Sequence, residues 1–138
     1  MRSNGEQKIQ QILLSNKIKF STEYILGVKG FSQQPLRYDF HLYYQEREIL
    51  IEFQGEEHYK FIPFFHKTRA DFQKRQIYDE KKISFALAKN IPLYCIPYWE
   101  IDKINSMQTL LNPEYIARDK SHNYMTYLKY QKSLEASI

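Results

Sequence analysis

The feature that most constrains this chain is a pair of alternating segments, Arg37 to Tyr44 and Glu48 to Gln54, separated by a short charged stretch. Side chains on a β-strand point alternately to opposite faces, so this alternation predicts two antiparallel strands joined as a hairpin. One face of each predicted strand is purely apolar and must be buried. The chain therefore has to build a sheet and cover at least one side of it.

The register of the hairpin follows from its turn, because the sequence numbers of paired residues have a constant sum. With Glu46 and Arg47 as turn residues, that sum is 93. The apolar face then holds three pairs: Phe40 with Phe53, Leu42 with Ile51 and Tyr44 with Ile49. The other face holds two polar pairs: Asp39 with Gln54 and His41 with Glu52. Diagonal neighbours lie about 7–8 Å apart, so the carboxylates of Asp39 and Glu52 are within reach of one ion.

Two interpretations of this polar face are open. Antiparallel sheets often have one hydrated face, where carboxylates are simply solvated. Against this, Leu50 shares the face and the downstream helix should cover it, which makes unpaired carboxylates costly there. Carboxylate oxygens suit Mg2+, and the end of a strand is a usual position for active residues. We therefore expect a metal site at Asp39 and Glu52.

Helices and a third strand are predicted around the hairpin. Ser3 to Glu6 fits the S-x-x-E capping box and is followed by apolar residues at helical spacing, so a helix begins there. A helical pattern from Thr68 to Lys89 precedes a short strand from Leu93 to Ile96. This strand–helix–strand arrangement predicts a right-handed crossover that places the last strand parallel to Ile49 to Phe53.

Two further helical stretches are predicted after this strand, one around Asp102 to Leu111 and one from about Glu114. The segment before the hairpin, which contains Gly27, Gly30 and Pro35, is interpreted as a connection. The predicted order is α-β-β-α-β-α-α. This is an α/β fold with a mixed sheet.

Size and composition indicate one intracellular domain spanning 1–138, with a core over about 6–98 and a C-terminal helical extension over about 102–138. The 20 Lys and Arg against 16 Asp and Glu favour polyanionic partners slightly. Cys95, the single cysteine, is expected to be a buried thiol in a reducing compartment. No secretory signal or membrane span is recognisable, so we expect a cytoplasmic protein without membrane contact.

The hairpin also carries a family resemblance. Asp39 at the end of LRYD, followed across the hairpin by Glu52-Phe53-Gln54, resembles the D…(D/E)-x-K core of the PD-(D/E)XK nuclease superfamily. The segments YDFHLYY, ILIEFQGEEHY and IPLYCIPY are similar to its very-short-patch-repair and phage homing-type endonucleases. The resemblance covers about Glu6 to Tyr98, and the predicted order α-β-β-α-β matches the order expected for the superfamily core. It implies a restriction-endonuclease-like fold.

What the resemblance implies is a Mg2+-dependent endonuclease that hydrolyses DNA phosphodiester bonds by nicking or double-strand cutting, with Mn2+ able to substitute. The side chains of Asp39 and Glu52 and the Phe53 carbonyl would hold the metal. Glu6 matches a position from which a glutamate can approach it, although Glu6 is equally well explained as the capping partner of Ser3. A bacterial or phage-infected cell is the implied setting.

One position departs from the family pattern, because the expected lysine is Gln54. Some superfamily members use Glu or Gln there, and Lys82 shares a helix stripe with Asp79 and could supply the missing charge. A structural ion contact between Lys82 and Asp79 is the alternative. The resemblance also gives His58 a role near the leaving group, against the alternative of a histidine in a surface loop.

Nucleic-acid contacts are expected from five basic residues: Lys60, Lys67, Arg69, Lys74 and Arg75. Interleaved aromatic residues could stack on exposed bases, although a solvated basic face is an equal interpretation. The stretch Arg118 to Lys132 could bind DNA or a second subunit, as a homodimer would require. Two alternatives to a DNA endonuclease follow from Gln54 and from the shared metal chemistry: a non-catalytic DNA-binding or scaffold protein, and an RNA-cutting member of the superfamily.

Overall fold

A four-stranded sheet with helices against both faces forms the centre of the protein in a computed structural model, which describes residues 3–137. The helices and strands, in chain order, are α1 (Asn4–Ser15), β1 (Phe20–Lys29), β2 (Pro35–Tyr44), β3 (Arg47–Gln54), α2 (Arg69–Ala88), β4 (Leu93–Pro97), α3 (Met107–Leu110) and α4 (His122–Ala136). Three short 3-10 turns connect them: Glu56–His58, Tyr98–Lys103 and Pro113–Tyr115. The fold is a mixed α/β fold with C-terminal helices.

The strand order in the sheet is β1-β2-β3-β4. The first three strands are antiparallel neighbours, whereas β4 runs parallel to β3, with Leu50 opposite Leu93 and Glu52 opposite Cys95. The predicted crossover through α2 is therefore confirmed. Cys95 is a free, buried thiol, as expected.

Strand β1 is missing from the predicted order, which is wrong in this respect: the observed order is α-β-β-β-α-β-α-α. The segment predicted as a connection belongs partly to this edge strand. Two residues of β1 have left-handed backbone, Glu23 at φ 51° and Gly27 at φ 130°. Glycine adopts such a conformation readily but a glutamate seldom does, so the sequence gives little sign of a strand at these positions.

The C-terminal helices are shorter than predicted. The first is the single turn α3, because the chain from Tyr98 to Lys103 forms a 3-10 turn and Ser106 caps a new helix start. The second begins at His122 instead of about Glu114, since Pro113–Tyr115 forms another 3-10 turn. The segments predicted from apolar spacing do contain helices, but the helix caps and the 3-10 turns place the helix ends at other residues.

The hairpin register also differs from the prediction. Gln45 and Glu46 occupy the turn, both at positive φ (52° and 67°), in the manner of two-residue hairpin turns whose twist matches the strands. Paired residues therefore sum to 91, with Phe40 opposite Ile51 and Leu42 opposite Ile49. Because the shift is by two positions, Phe40, Leu42, Ile49 and Ile51 keep their predicted face.

Strand β2 exchanges its faces at Asp39. Phe40 packs in the core cluster beneath α1, whereas Tyr38 packs in the cluster beneath α2. Residues two apart share a face in a regular strand, so the strand rotates between them. The neighbouring residue in β1 is Glu23, whose left-handed backbone accompanies this rotation. Asp39 therefore lies at the junction of two cores.

No helix within residues 3–137 combines the length and the apolar character needed to cross a membrane.

Candidate active-site cleft

Asp39, in the middle of β2, lies directly across from Glu52, near the end of β3. Extending the hairpin ladder one position beyond Phe40 and Ile51 pairs them. The Asp39 N–H donates to Glu52 Oε2 at 3.0 Å, and the Phe53 N–H donates to Asp39 Oδ2 at 2.8 Å. Each carboxylate thus accepts a backbone N–H of the opposite strand, which fixes the orientation of that carboxylate.

This pairing corrects two predicted neighbours. Gln54 does not face Asp39, and His41 does not face Glu52. His41 lies opposite Leu50, and its Nε2 contacts Glu48 Oε2 at 2.7 Å while its ring stacks on Tyr24. The polar face therefore divides into a His41 cluster towards the turn and the two carboxylates at the strand end.

Lys82 reaches the carboxylates from α2. Its Nζ forms an ion pair with Glu52 Oε1, and both side chains are nearly buried. Tyr38 contacts Lys82 twice: its hydroxyl donates to the Lys82 carbonyl at 2.7 Å, and its ring centre lies 5.4 Å from Nζ. Burial lowers the pKa of Lys82, but Glu52 and then Asp79 raise it, and the net effect is a raised pKa. The lysine therefore stays charged at neutral pH.

The pKa of Asp39 is raised as well, which in a carboxyl group favours the neutral form instead of the charged one. Burial first, and the adjacent Glu52 carboxylate second, raise the pKa of Asp39 to about 9, although Lys82 and the Phe53 N–H act against this. A second positive charge near Asp39 would act against this rise in the same direction as Lys82. The electrostatics thus favour a cation at this carboxylate.

An open cleft of about 840 Å3 gives access to these groups. Its polar lining includes Glu6, Asp39, Glu52, His58, Arg75 and Lys82. Phe53 lines it as well. The structure thus brings together the predicted metal ligands, the predicted Lys82 and His58, and one of the predicted DNA-binding residues.

A carboxylate group that the sequence did not reveal also lies here. One oxygen each from Glu6, Glu23 and Asp39 lie within 4.8 Å of one another. Glu23 was not foreseen because β1 itself was not predicted. Glu6 is the capping partner of Ser3, because its N–H and carboxylate engage the Ser3 hydroxyl, each at 3.2 Å, and its side chain also lines the cleft.

The donor set fits a hard divalent cation. Carboxylate oxygens from three elements converge, and Mg2+ typically takes one or two carboxylates and completes its shell with water and phosphate. Both Glu52 oxygens are already engaged, one by Lys82 and one by the Asp39 N–H. A metal at Glu52 would therefore share it with Lys82, whereas Asp39, Glu6 and Glu23 offer the more open side.

Gln54 lies apart from the cleft lining. Its side chain is 2% exposed, and its Oε1 accepts a hydrogen bond from the Tyr59 hydroxyl at 2.8 Å. Tyr59 in turn packs on the rings of Trp99 and Tyr127, at 4.8 Å and 5.4 Å between centroids. In this structure Gln54 is an anchor for the aromatic packing beneath α4.

His58 and Asp79 form a pair at the edge of the cleft. His58 Nδ1 lies 2.8 Å from Asp79 Oδ2, and Asp79 is 5% exposed. His58 is thus not a free surface histidine, and Asp79 contacts His58 more closely than it does Lys82. Sequence spacing could not reveal this contact, because the two residues lie on separate elements.

The five predicted DNA-binding residues are all exposed but only partly near the cleft. Arg75 lines it. Arg69 lies 4.8 Å from the Phe61 ring, Lys74 lies 5.5 Å from the Tyr78 ring, and Lys60 pairs with Glu56 at 3.3 Å. Lys67 lies in the same loop as two exposed aromatic residues, Phe64 (89% exposed) and Phe65 (58%), the second of which borders the cleft.

Fold and cleft together define a mixed α/β protein whose carboxylate-rich site includes Asp39 and Glu52 of the two central strands. No protein-family model matches the chain, and no solved structure gives a significant match. Over 71 residues the chain is 34% identical to a protein of Invertebrate iridescent virus 6 named uncharacterized protein 307L. That match covers 51% of this chain and 36% of the viral protein, so it spans about a third of the relative's length.

Proposed function

We propose that this protein is a Mg2+-dependent endonuclease that hydrolyses phosphodiester bonds in DNA and has the restriction-endonuclease-like core of the PD-(D/E)XK nucleases. One observation carries the proposal. At the wall of an open cleft the Asp39 N–H donates to Glu52 and the Phe53 N–H donates to Asp39, with the Lys82 ammonium on Glu52. This is the combination of acids and a cation that phosphodiester hydrolysis needs.

Asp39 and Glu52 would hold the metal, joined by the Phe53 carbonyl, with Glu6 and Glu23 as further oxygen donors on the open side. A bound Mg2+ would polarise the phosphodiester and lower the pKa of an attacking water. Mn2+ should substitute, since it accepts the same oxygen ligands.

Lys82 takes the role that Gln54 cannot fill. The Gln54 amide is neutral and bonded to Tyr59, whereas the Lys82 ammonium is charged and lies at the carboxylates. A positive charge there stabilises the negative charge that grows on phosphorus oxygens in the transition state. The Tyr38 hydroxyl supports this position of Lys82, because it donates a hydrogen bond to the Lys82 backbone carbonyl.

When both of its ring nitrogens carry protons, His58 would give the proton on Nε2 to the leaving oxygen. Its Nδ1 is taken by the buried Asp79, which leaves Nε2 for the cleft. Arg75, also at the cleft, would neutralise a phosphate of the DNA. The exposed Phe64 and Phe65 could stack on bases that are unpaired.

Cleavage of supercoiled, linear and branched DNA with Mg2+ or Mn2+ tests the proposal. Asp39→Ala and Glu52→Ala should each lower the cleavage rate at least about 100-fold. Glu48→Ala, an acid on the same hairpin outside the cleft, is the matched control and should cut normally. Cutting that survives both cleft substitutions would exclude this site.

Two rival functions have their own outcomes in the same assay. DNA binding without any metal-dependent product, even at high protein concentration, would favour a non-catalytic DNA-binding or scaffold protein, as the neutral Gln54 allows. Preferential cutting of RNA of matched sequence would favour an RNA-cutting enzyme with the same metal chemistry.

A further inference from the structure

A small cavity lies behind the His58–Asp79 pair, between α2 and α4. Its volume is about 60 Å3, enough for a few water molecules. Asp79 lines it from α2, His58 from the preceding turn, and Asn123 from α4. The C-terminal helix α4 thus reaches the His58–Asp79 pair from the side of the cavity, and His58 also lines the candidate active-site cleft.

Asn123 makes this cavity unusual. Both its Oδ1 and its Nδ2 are buried, and neither has a hydrogen-bond partner within residues 3–137. Buried polar groups in folded proteins are nearly always satisfied by protein or by ordered water, since an unmade hydrogen bond carries a desolvation penalty. An amide beside a polar cavity of this size meets the conditions for water binding.

Asp79 is the group that such water would reach. One carboxylate oxygen of Asp79 faces His58 Nδ1 at 2.8 Å, and Asp79 also lines the cavity. A water molecule that accepts from the Asn123 amide can donate to the carboxylate and fix its orientation. The carboxylate in turn fixes the histidine tautomer with the proton on Nδ1.

We propose that Asn123 on α4 is a positioning residue for His58 and Asp79, acting through water bound in the cavity between α2 and α4. The C-terminal helix thereby becomes part of the active site instead of an accessory element. The effect on catalysis rests on the proposed endonuclease function, whereas the effect on the histidine tautomer does not.

The test compares Asn123→Leu, which has a similar shape but no amide, with Asn123→Ser, which restores a donor and an acceptor. The first readout is the ring 15N spectrum of His58 in metal-free protein at about pH 8, well above the ordinary pKa of histidine. We expect one tautomer in the wild type and in Asn123→Ser, and a mixture in Asn123→Leu. Asp79→Asn gives the reference spectrum for a disturbed pair, because an amide can donate to Nδ1.

The second readout is DNA cleavage. Asn123→Leu should lower kcat about tenfold with KM unchanged, and Asn123→Ser should recover most of that loss. Gln131→Leu, at an exposed position of the same helix, is the matched control for an added apolar side chain and should change neither readout. Unfolding midpoints identify any variant that has lost its structure, in which case Asn123→Ser alone carries the comparison with wild type.

The outcomes separate the two proposals. An unchanged His58 tautomer in folded Asn123→Leu overturns the positioning role, whatever happens to kcat. A mixed tautomer with an unchanged kcat in an active enzyme overturns its catalytic importance. If Asn123→Leu shows a mixed His58 tautomer and the wild type cuts no nucleic acid, the positioning role is supported and the endonuclease function is rejected.

Discussion

Asp39 holds a proton in the folded, metal-free protein over a pH range in which the unfolded chain does not. Burial and the Glu52 carboxylate raise its pKa from 3.8 to about 9. A raised folded-state pKa adds stability below the unfolded value, and this stability is lost as pH rises through about 9. Metal-free wild type should therefore lose up to about 1.4 kcal/mol of unfolding free energy per pH unit between pH 5 and 8, relative to Asp39→Asn.

Urea unfolding in the presence of a chelator, repeated across this pH range, measures the difference. Asp102→Asn, which removes an exposed carboxylate, should retain the wild-type slope. Parallel pH profiles for wild type and Asp39→Asn would mean that Asp39 is already ionised in the folded protein.

Gln54 is the residue for which sequence and structure lead to opposite expectations. The nuclease pattern that the sequence resembles has lysine here, but the Gln54 side chain is buried and its amide oxygen accepts a hydrogen bond from the Tyr59 hydroxyl. An ammonium at this position can only donate hydrogen bonds, whereas the Tyr59 hydroxyl donates to Gln54 and needs an acceptor there. Gln54→Lys should therefore destabilise the protein by about 2–4 kcal/mol without raising the cleavage rate.

Denaturant unfolding and DNA cleavage measure the two effects of Gln54→Lys. Gln54→Glu keeps an acceptor for Tyr59 and should be the milder substitution when assayed at low pH. A stable and faster Gln54→Lys enzyme would show instead that the position faces the substrate.

Helix α4 is held by aromatic stacking, since none of its residues from His122 to Ala136 is fully buried. The Tyr130 ring stacks on Trp99 with 4.2 Å between centroids and an interplanar angle of 5°. Tyr130→Ala should lower the unfolding free energy by about 1–3 kcal/mol and expose Trp99, the single tryptophan. A red shift of the fluorescence maximum reports this exposure.

Tyr124→Ala is the control for this experiment, because Tyr124 is on the same helix and 67% exposed. It should change the fluorescence little. An equal red shift in both variants would indicate that the whole helix is loosely attached, and would also weaken the argument that Asn123 reaches the His58–Asp79 pair.

The elements that sequence predicted well are those whose pattern is local. Alternation in the hairpin and helical spacing in α2 require only neighbouring residues, so the apolar face of the hairpin and the parallel placement of β4 beside β3 were correct. The register was wrong by two positions because Gln45 and Glu46 adopt left-handed backbone without a glycine. Glu23 was missed for the same physical reason.

Contacts between distant elements could not be predicted in this way. The bond from Tyr59 to Gln54 and the pair of His58 with Asp79 depend on how a turn and a helix pack against a strand end. Lys82 was foreseen only as a residue on the correct helix stripe, and its contact with Glu52 emerges from the packing of α2 on the sheet.

Over the whole molecule, a net charge of +4 is too small to dominate DNA binding, so the placement of each cation decides its contribution. Arg75 lines the cleft, whereas Arg47 is exposed at the start of β3, five residues before Glu52, which separates it from the carboxylates by about 17 Å. A cation that contacts phosphate contributes about 0.9 to the slope of log K against log salt. If DNA lies in the cleft, Arg75→Ala should reduce that slope by about one and Arg47→Ala should leave it unchanged.

Titrations of duplex DNA over a salt series, in an Asp39→Asn background that prevents cutting, measure both slopes. A larger loss from Arg47→Ala would place the DNA at the turn of the hairpin, where Asp39, Glu52 and Lys82 could not reach its backbone.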